Sequence, residues 1–152
     1  MSLPSVNIER TALRQKTTAL WDRWLAMWNE NPEIAHEIIG PDYRVHLPTA
    51  GATIDPAQIR DAATMADWVR AFTGKFANLR YQTDFGPVSD GNLAVFRWSG
   101  TAICLGRTGW PMDVAEKPII FVGVDILRIE DGRIVECWTQ GSVTDRADHS
   151  HA

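Results

Sequence analysis

The sequence is short of most features that mark a specialised chain. Only two cysteines, Cys104 and Cys137, occur in 152 residues. Neither stands in a C-x-x-C or metal-ligand spacing, so both are expected as reduced, buried thiols. Lys and Arg form no dense run and the net charge is −4, which argues against nucleic acid as a partner. No apolar stretch is long enough to span a bilayer, and no charged-then-apolar leader opens the chain. The expectation is a cytoplasmic protein with no membrane partner. A GxSxG elbow, a Gly-rich phosphate loop after a strand, a dinucleotide fingerprint and an HExxH pair are all missing. Gly106-Arg107-Thr108-Gly109 is too short and badly placed to hold phosphate. His36 lies beside Glu37 on an expected helix surface, and His149 and His151 fall in the terminal tail. No second ligand stands at metal spacing from His46, so neither a metal nor a cofactor is expected.

What is present is an ordinary globular balance. Hydrophobic residues make up 45% and charged residues 22% of the chain, enough for a sizeable core in one domain. That domain is expected over 5–144, with a disordered tail over 145–152. Seven tryptophans are many for this length, and large aromatics line cores, pockets and interfaces.

The order of elements follows from periodicity. Asn7 can cap a helix running to about residue 29, with Leu13, Leu20, Trp24 and Met27 or Trp28 on one side. Asn31-Pro32 restarts a short helix that Gly40-Pro41 ends. Residues 43–47 alternate as a short strand. Asp55 and Pro56 read as cap and first residue of a second long helix to about residue 76, with Ile59, Ala63, Ala66, Val69 and Phe72 or Phe76 inward. Strands follow over 80–88, 93–105, 118–130 and 133–143. Ser89-Asp90-Gly91-Asn92 and Asp131-Gly132 are their hairpin turns. Helices first and an antiparallel meander afterwards is an α+β order.

The strand over 118–130 is the most informative. Ile119, Phe121, Gly123, Asp125, Leu127 and Ile129 share one face. Ile120, Val122, Val124, Ile126 and Arg128 share the other. Both faces are apolar and both should be covered: one by helices around a cavity, the other by a second subunit, giving a homodimer. Gly123 in mid-strand suggests a bend or bulge.

Asp125 is a carboxylate on an apolar face, which is costly unless paired, hydrogen-bonded or neutralised. Desolvation raises its pKa towards the range of a general acid or base. The competing reading is a scaffold carboxylate held by a nearby Arg, Tyr or Trp. His46, on the short strand, is either its proton partner or a half-buried histidine satisfied by backbone. Arg97 could pair with an acid, grip an anionic substrate or simply lie solvated. Trp24, Trp28, Trp98 and Trp138 are candidate pocket walls, and Glu136, Trp138 and Gln140 share a face.

The run Gly123-Val124-Asp125-Ile126-Leu127-Arg128-Ile129-Glu130-Asp131-Gly132-Arg133-Ile134-Val135-Glu136-Cys137-Trp138 resembles the C-terminal hallmark of the SnoaL-like polyketide cyclases, of the NTF2-like superfamily. The pieces 24–29, 40–46 and 76–79 are similar to further family segments, and the resemblance spans about 18–143. It implies a cone of curved antiparallel sheet on N-terminal helices, usually dimeric, around a deep apolar pocket. It also implies aldol-type chemistry driven by an aspartate, at the position of Asp125, without metal or cofactor. Trp24 matches a pocket-facing aromatic. Cys137 stands where the family motif has histidine, 109–118 holds no histidine, and Gln140 follows Trp138 by two residues where an acid is frequent. Ser99 denies Arg97 the second acid that related epoxide hydrolases need. In ketosteroid isomerase-like chemistry, Tyr43 and Asp125 would be the oxyanion donors.

Two functions follow as expectations. One is an enzyme performing cyclisation, isomerisation or dehydration on a small apolar carbonyl compound. Asp125 and His46 would be catalytic, and Trp24, Tyr43, Arg97, Trp98, Trp138 and Gln140 would contact the substrate. The other is a non-catalytic dimeric module that binds a small apolar molecule. A structural unit with its cavity filled by tryptophans is a third reading.

Overall fold

A computed structural model describes residues 3–48 and 54–145. Of the expected tail over 145–152, residues 146–152 lie outside them, as do the first two residues. Helix α1 (Leu3–Asn29) leads into a single 3-10 turn (Pro32–Ile34), a short α2 (Ala35–Ile38) and strand β1 (Ile39–His46). A second 3-10 turn (Pro56–Gln58) precedes α3 (Ala62–Thr73). Four long strands follow: β2 (Phe76–Asp90), β3 (Leu93–Cys104), β4 (Pro118–Glu130) and β5 (Arg133–Asp145). With β1 they form one curved, unclosed five-stranded sheet in the order β1-β5-β4-β3-β2, with β1 parallel to β5 and all other pairs antiparallel. The α+β order is the expected one.

Three local details differ from the sequence reading, each for a physical reason. The second long helix is broken. Asp55 caps only the 3-10 turn, accepting from the Ala57 amide. Asp61 and Thr64 build a reciprocal capping box that starts α3 afresh, because two orphan donors are satisfied there at once. Met65, Ala66 and Val69 are its buried residues, and Ala63 is exposed. Strand β1 starts earlier than expected and carries an irregularity between Ile39 and Arg44, where Asp42 takes a φ of 54°. In α1, Leu13 is exposed, whereas Trp21, Trp24 and Met27 form the buried stripe. The two hairpins turn where expected, and Asp131 and Gly132 both have positive φ, as a tight two-residue turn requires.

The register fixes which side chains share a face. In β4, Ile119, Phe121, Asp125 and Leu127 are buried and point with Ala94, Phe96, Trp98 and Ala102 of β3 towards the helices. Ile120, Val122, Val124 and Ile126 alternate to the outer face, half-buried. Trp21 stacks on Phe96 with ring centroids 4.1 Å apart and planes at 2°, which clamps α1 to the sheet. The Trp21 indole N–H also donates to Thr83 Oγ1 at 2.7 Å. Among the described residues no helix is long and apolar enough to cross a membrane.

Candidate active site

The inner face of the sheet, α1, α3 and the β3–β4 loop enclose a cavity of about 440 Å³. Its wall is largely aromatic: Trp21, Trp28, Trp68, Phe72, Tyr81, Trp98, Trp110 and Phe121 all line it. The tryptophans therefore surround a space and do not fill it. Trp28 meets Trp68, Phe72 and Tyr81 edge-on, the arrangement that the ring quadrupoles favour.

Asp125 is the buried acid of that wall, 6% exposed. Both of its oxygens are held by indole N–H groups. Trp24 Nε1 donates to Oδ2 at 3.1 Å, and Trp98 Nε1 donates to Oδ1 at 3.0 Å. Thr139, directly opposite on β5, donates its hydroxyl to the same carboxylate. Burial nevertheless dominates and raises the Asp125 pKa above the ordinary carboxylate value, while the Thr139, Trp98 and Trp24 hydrogen bonds pull it back. The result is a carboxylate fixed in orientation and more basic than one in water.

Glycines place the ring that holds it. A Cβ on Gly123 would run into the six-membered ring of Trp98, and one on Gly141 would lie 3.1 Å from the same ring. Trp98 thus lies across two adjacent strands at positions without side chains. Gly123 is not a bulge: its pairing with Trp98 and with Gly141 is regular. Gly100 does the same for Tyr81, whose ring atom Cδ1 would sit 2.6 Å from a Cβ there.

Of the residues expected at the site, Asp125 and Trp98 line the cavity, and Trp24 lies behind Asp125 as its donor. Tyr43 is buried but is not part of the cavity wall, and its hydroxyl has no hydrogen-bond partner. Burial, then the nearby Cys137 and Asp125, push its pKa well up. Tyr81 is the tyrosine that reaches the cavity. Burial, with the charge of Asp125 added, also raises its pKa, so its hydroxyl stays protonated.

The remaining four are on the other side of the sheet. His46 pairs with Trp138 in register, Trp138 with Ile126, Gln140 with Val124, and Arg97 with Val124. All are one residue out of phase with Asp125, so the pleat carries them to the outer face. His46 Nε2 lies 2.7 Å from Glu136 Oε2, and its ring stacks on Trp138 with centroids 5.1 Å apart. Glu136 also accepts from Arg128 Nε at 3.2 Å. The His46 and Arg128 hydrogen bonds outweigh desolvation and lower the Glu136 pKa. Arg97 is spent on Asp84, 3.6 Å away. The pairing of His46 with Asp125 is therefore corrected: a strand separates them. Trp28, a candidate wall residue in the sequence, lines the cavity, whereas Trp21, Trp68, Tyr81, Trp110 and Thr139 are wall residues that the sequence reading does not single out. The sequence signal for Thr139 was available, because it alternates with Cys137 and Gly141 on the inner face of β5.

The β3–β4 loop is held by Asp113, which accepts from the Gly106 amide at 3.0 Å and from the Thr108 amide and hydroxyl at 2.8 and 2.6 Å. These bonds overcome its desolvation and lower its pKa to about 2. They set Thr108, Trp110 and Met112 into the cavity wall. Among the described residues no cluster of three or more His, Cys, Asp or Glu could hold a metal.

Solved structures share this architecture. TsrD from Streptomyces laurentii is 23% identical with a TM-score of 0.68, over 85% of this chain and 90% of that one. IdmH from Streptomyces antibioticus, provisionally described as a polyketide cyclase, is 22% identical with a TM-score of 0.66, over 82% and 91%. A provisionally named polyketide cyclase from Acidithiobacillus ferrooxidans is 22% identical with a TM-score of 0.69, over 90% and 92%. At such identities the likeness establishes the fold, the NTF2-like cone. No curated protein sequence matches. The profile of the SnoaL-like domain matches residues 21–137, a span that holds α3, β1 to β4 and Asp125 with both of its indole donors, Trp24 and Trp98, and the chain belongs to that family.

Proposed function

We propose that the protein catalyses cofactor-free proton transfer on a small apolar carbonyl compound bound in the cavity. The observation that carries this is a buried, orientation-locked carboxylate of raised pKa in an aromatic wall. A base should be more basic than an exposed acid, and burial moves Asp125 in that direction. Its carboxylate takes a proton from the carbon beside the carbonyl, and the C–H electron pair moves into an enolate. The Tyr81 hydroxyl, on a residue of the same wall and held protonated, is the donor assigned to the enolate oxygen. The enolate then attacks a second carbonyl or is reprotonated elsewhere, and Asp125 returns the proton to the new alkoxide or carbon. Aldol-type cyclisation, isomerisation and dehydration share this first step, and the dry aromatic wall suits polyketide-like substrates.

The test needs no knowledge of the substrate. The protein in D2O with 2-tetralone should exchange the protons beside the carbonyl faster than buffer does, read by proton NMR. Asp125→Asn should abolish the excess exchange while the circular dichroism spectrum stays native. Undiminished exchange in that variant would sink the assignment.

One observation favours a second reading, a binding module without turnover. Both Asp125 oxygens are already occupied by donors of the fold, as a scaffold carboxylate would be. Under this reading 2-tetralone binds but does not exchange. Under either, we place the protein in the cytoplasm as a homodimer joined through the outer face of β4, where Val122, Val124 and Ile126 are half-exposed. Sedimentation equilibrium measures that directly, and a monomer at micromolar concentration would exclude it.

A further inference from the structure

The cavity wall contains a second charged group that the proton-transfer chemistry does not use. Lys75 lies between Gly74, where α3 ends, and Phe76, where β2 starts. It lines the same cavity as Phe72 and Trp110. Among the described residues it is the only cation in that wall, and no ion pair or hydrogen bond engages its ammonium group. Lys75 is half-buried, and an ammonium group in an apolar wall loses part of its hydration without gaining a partner.

The surroundings add to this positive charge. Arg107 reaches the same corner and donates from Nη1 to the Gly74 carbonyl at 2.9 Å. Asp113, the acid of the adjacent loop, is consumed by Gly106 and Thr108. The register places Phe76 opposite Cys104 and Asp125 opposite Phe96, far apart along β3. The ammonium and the buried carboxylate therefore stand towards opposite ends of the cavity.

We infer that the cavity takes an apolar molecule bearing a carboxylate, and that Lys75 is the residue that selects for that group. The orientation of the ligand, with the carbonyl at Asp125 and the carboxylate at Lys75, rests on the proposed function. The charge preference does not. A charge-assisted hydrogen bond inside an apolar wall discriminates strongly, because a neutral analogue leaves the ammonium unpaired.

Isothermal titration of the full chain with 2-naphthoate and with its methyl ester tests this without any turnover. The wild type should bind the carboxylate about tenfold more tightly than the ester, a margin typical of one such contact. Lys75→Met should abolish or reverse the preference, and Lys75→Arg should retain it. Asp125→Asn should keep the preference even if all proton exchange is lost, which separates failure of this inference from failure of the catalytic reading. Equal affinities in the wild type, binding of neither probe, or a preference that survives in Lys75→Met would overturn it.

Discussion

Trp98 lies flat across Gly123, and the indole of Trp98 reaches Asp125 only because no side chain rises from that position. The relation links a backbone choice to the chemistry of a carboxylate two residues along the same strand. A methyl group on Gly123 would have to share space with the ring, and the carbonyl of Gln140 2.7 Å away closes the other direction.

Gly123→Ala should therefore displace the indole and break its hydrogen bond to Asp125. Overpacking of this kind costs about 1–3 kcal/mol. The melting temperature should fall, and the Asp125 pKa should rise as a stabilising donor is lost. Proton exchange should drop more than binding of the neutral ester does. Gly132→Ala is the contrasting control, since nothing lies within 4 Å of its Cβ direction; its cost comes from a positive φ of 73° and should leave the cavity untouched.

Asp125 gives a pH dependence of definite sign. Its pKa is raised in the folded protein relative to the unfolded chain, so the folded state holds a proton that the unfolded state has already lost. Stability contributed by Asp125 is full below the unfolded carboxylate pKa and declines as pH rises through the folded value. The stability of the wild type relative to Asp125→Asn should thus shrink between pH 4 and the folded pKa, read from urea melts at several pH values. Trp24→Phe removes one indole donor and should push the carboxyl-carbon NMR titration of Asp125 higher still. A midpoint at or below the usual carboxylate value in the wild type would contradict the whole account of the site.

The sequence was explicit about the meander and about Asp125, because period-two alternation in an apolar strand leaves a lone acid conspicuous. It was weaker wherever a face had to be assigned across strands. His46, Arg97, Trp138 and Gln140 all sat close in sequence to inward residues, yet each is one step out of phase, and alternation alone does not say which phase of β1, β3 or β5 matches that of Asp125. Only the inter-strand register does so. Trp21 is hidden for another reason. A helix so rich in aromatics offers several apolar stripes, and the long-range stack on Phe96 chooses between them. The break before α3 was written in Asp61 and Thr64, but a Pro56 five residues earlier offered a competing start.

His46→Gln follows from the same pleat. The imidazole is hydrogen-bonded to Glu136 and stacked on Trp138 on the outer face. Glutamine can still meet the Glu136 carboxylate but does not stack. Binding of 2-naphthoate and proton exchange should stay within about twofold of wild type, a difference of roughly 0.4 kcal/mol. If the outer face joins two subunits, the variant should weaken the dimer instead. A large loss of exchange with the dimer intact would restore His46 to the catalytic machinery and require a different register in β1.

Asp113→Ala tests whether the β3–β4 loop shapes the cavity. The carboxylate satisfies the Gly106 and Thr108 amides and the Thr108 hydroxyl, and its removal leaves part-buried donors without their partner, at a cost below the roughly 1–3 kcal/mol of fully buried ones. Amide hydrogen exchange should accelerate at Gly106, Thr108 and Trp110 while β4 remains protected. Trp110 packs 6.0 Å from Phe76 and 6.4 Å from Phe121, so its release opens one wall of the cavity and should weaken probe binding. The wild-type loop should also respond to acid with the opposite sign to Asp125. Asp113 titrates near 2 when folded, so its contribution is present above the ordinary carboxylate pKa and is lost as pH falls towards 2. Loosening of the loop in the wild type between pH 4 and 2, absent from the further response of Asp113→Ala, is the expected pattern. A loop equally protected in both proteins would mean that packing of Trp110, and not Asp113, holds it closed.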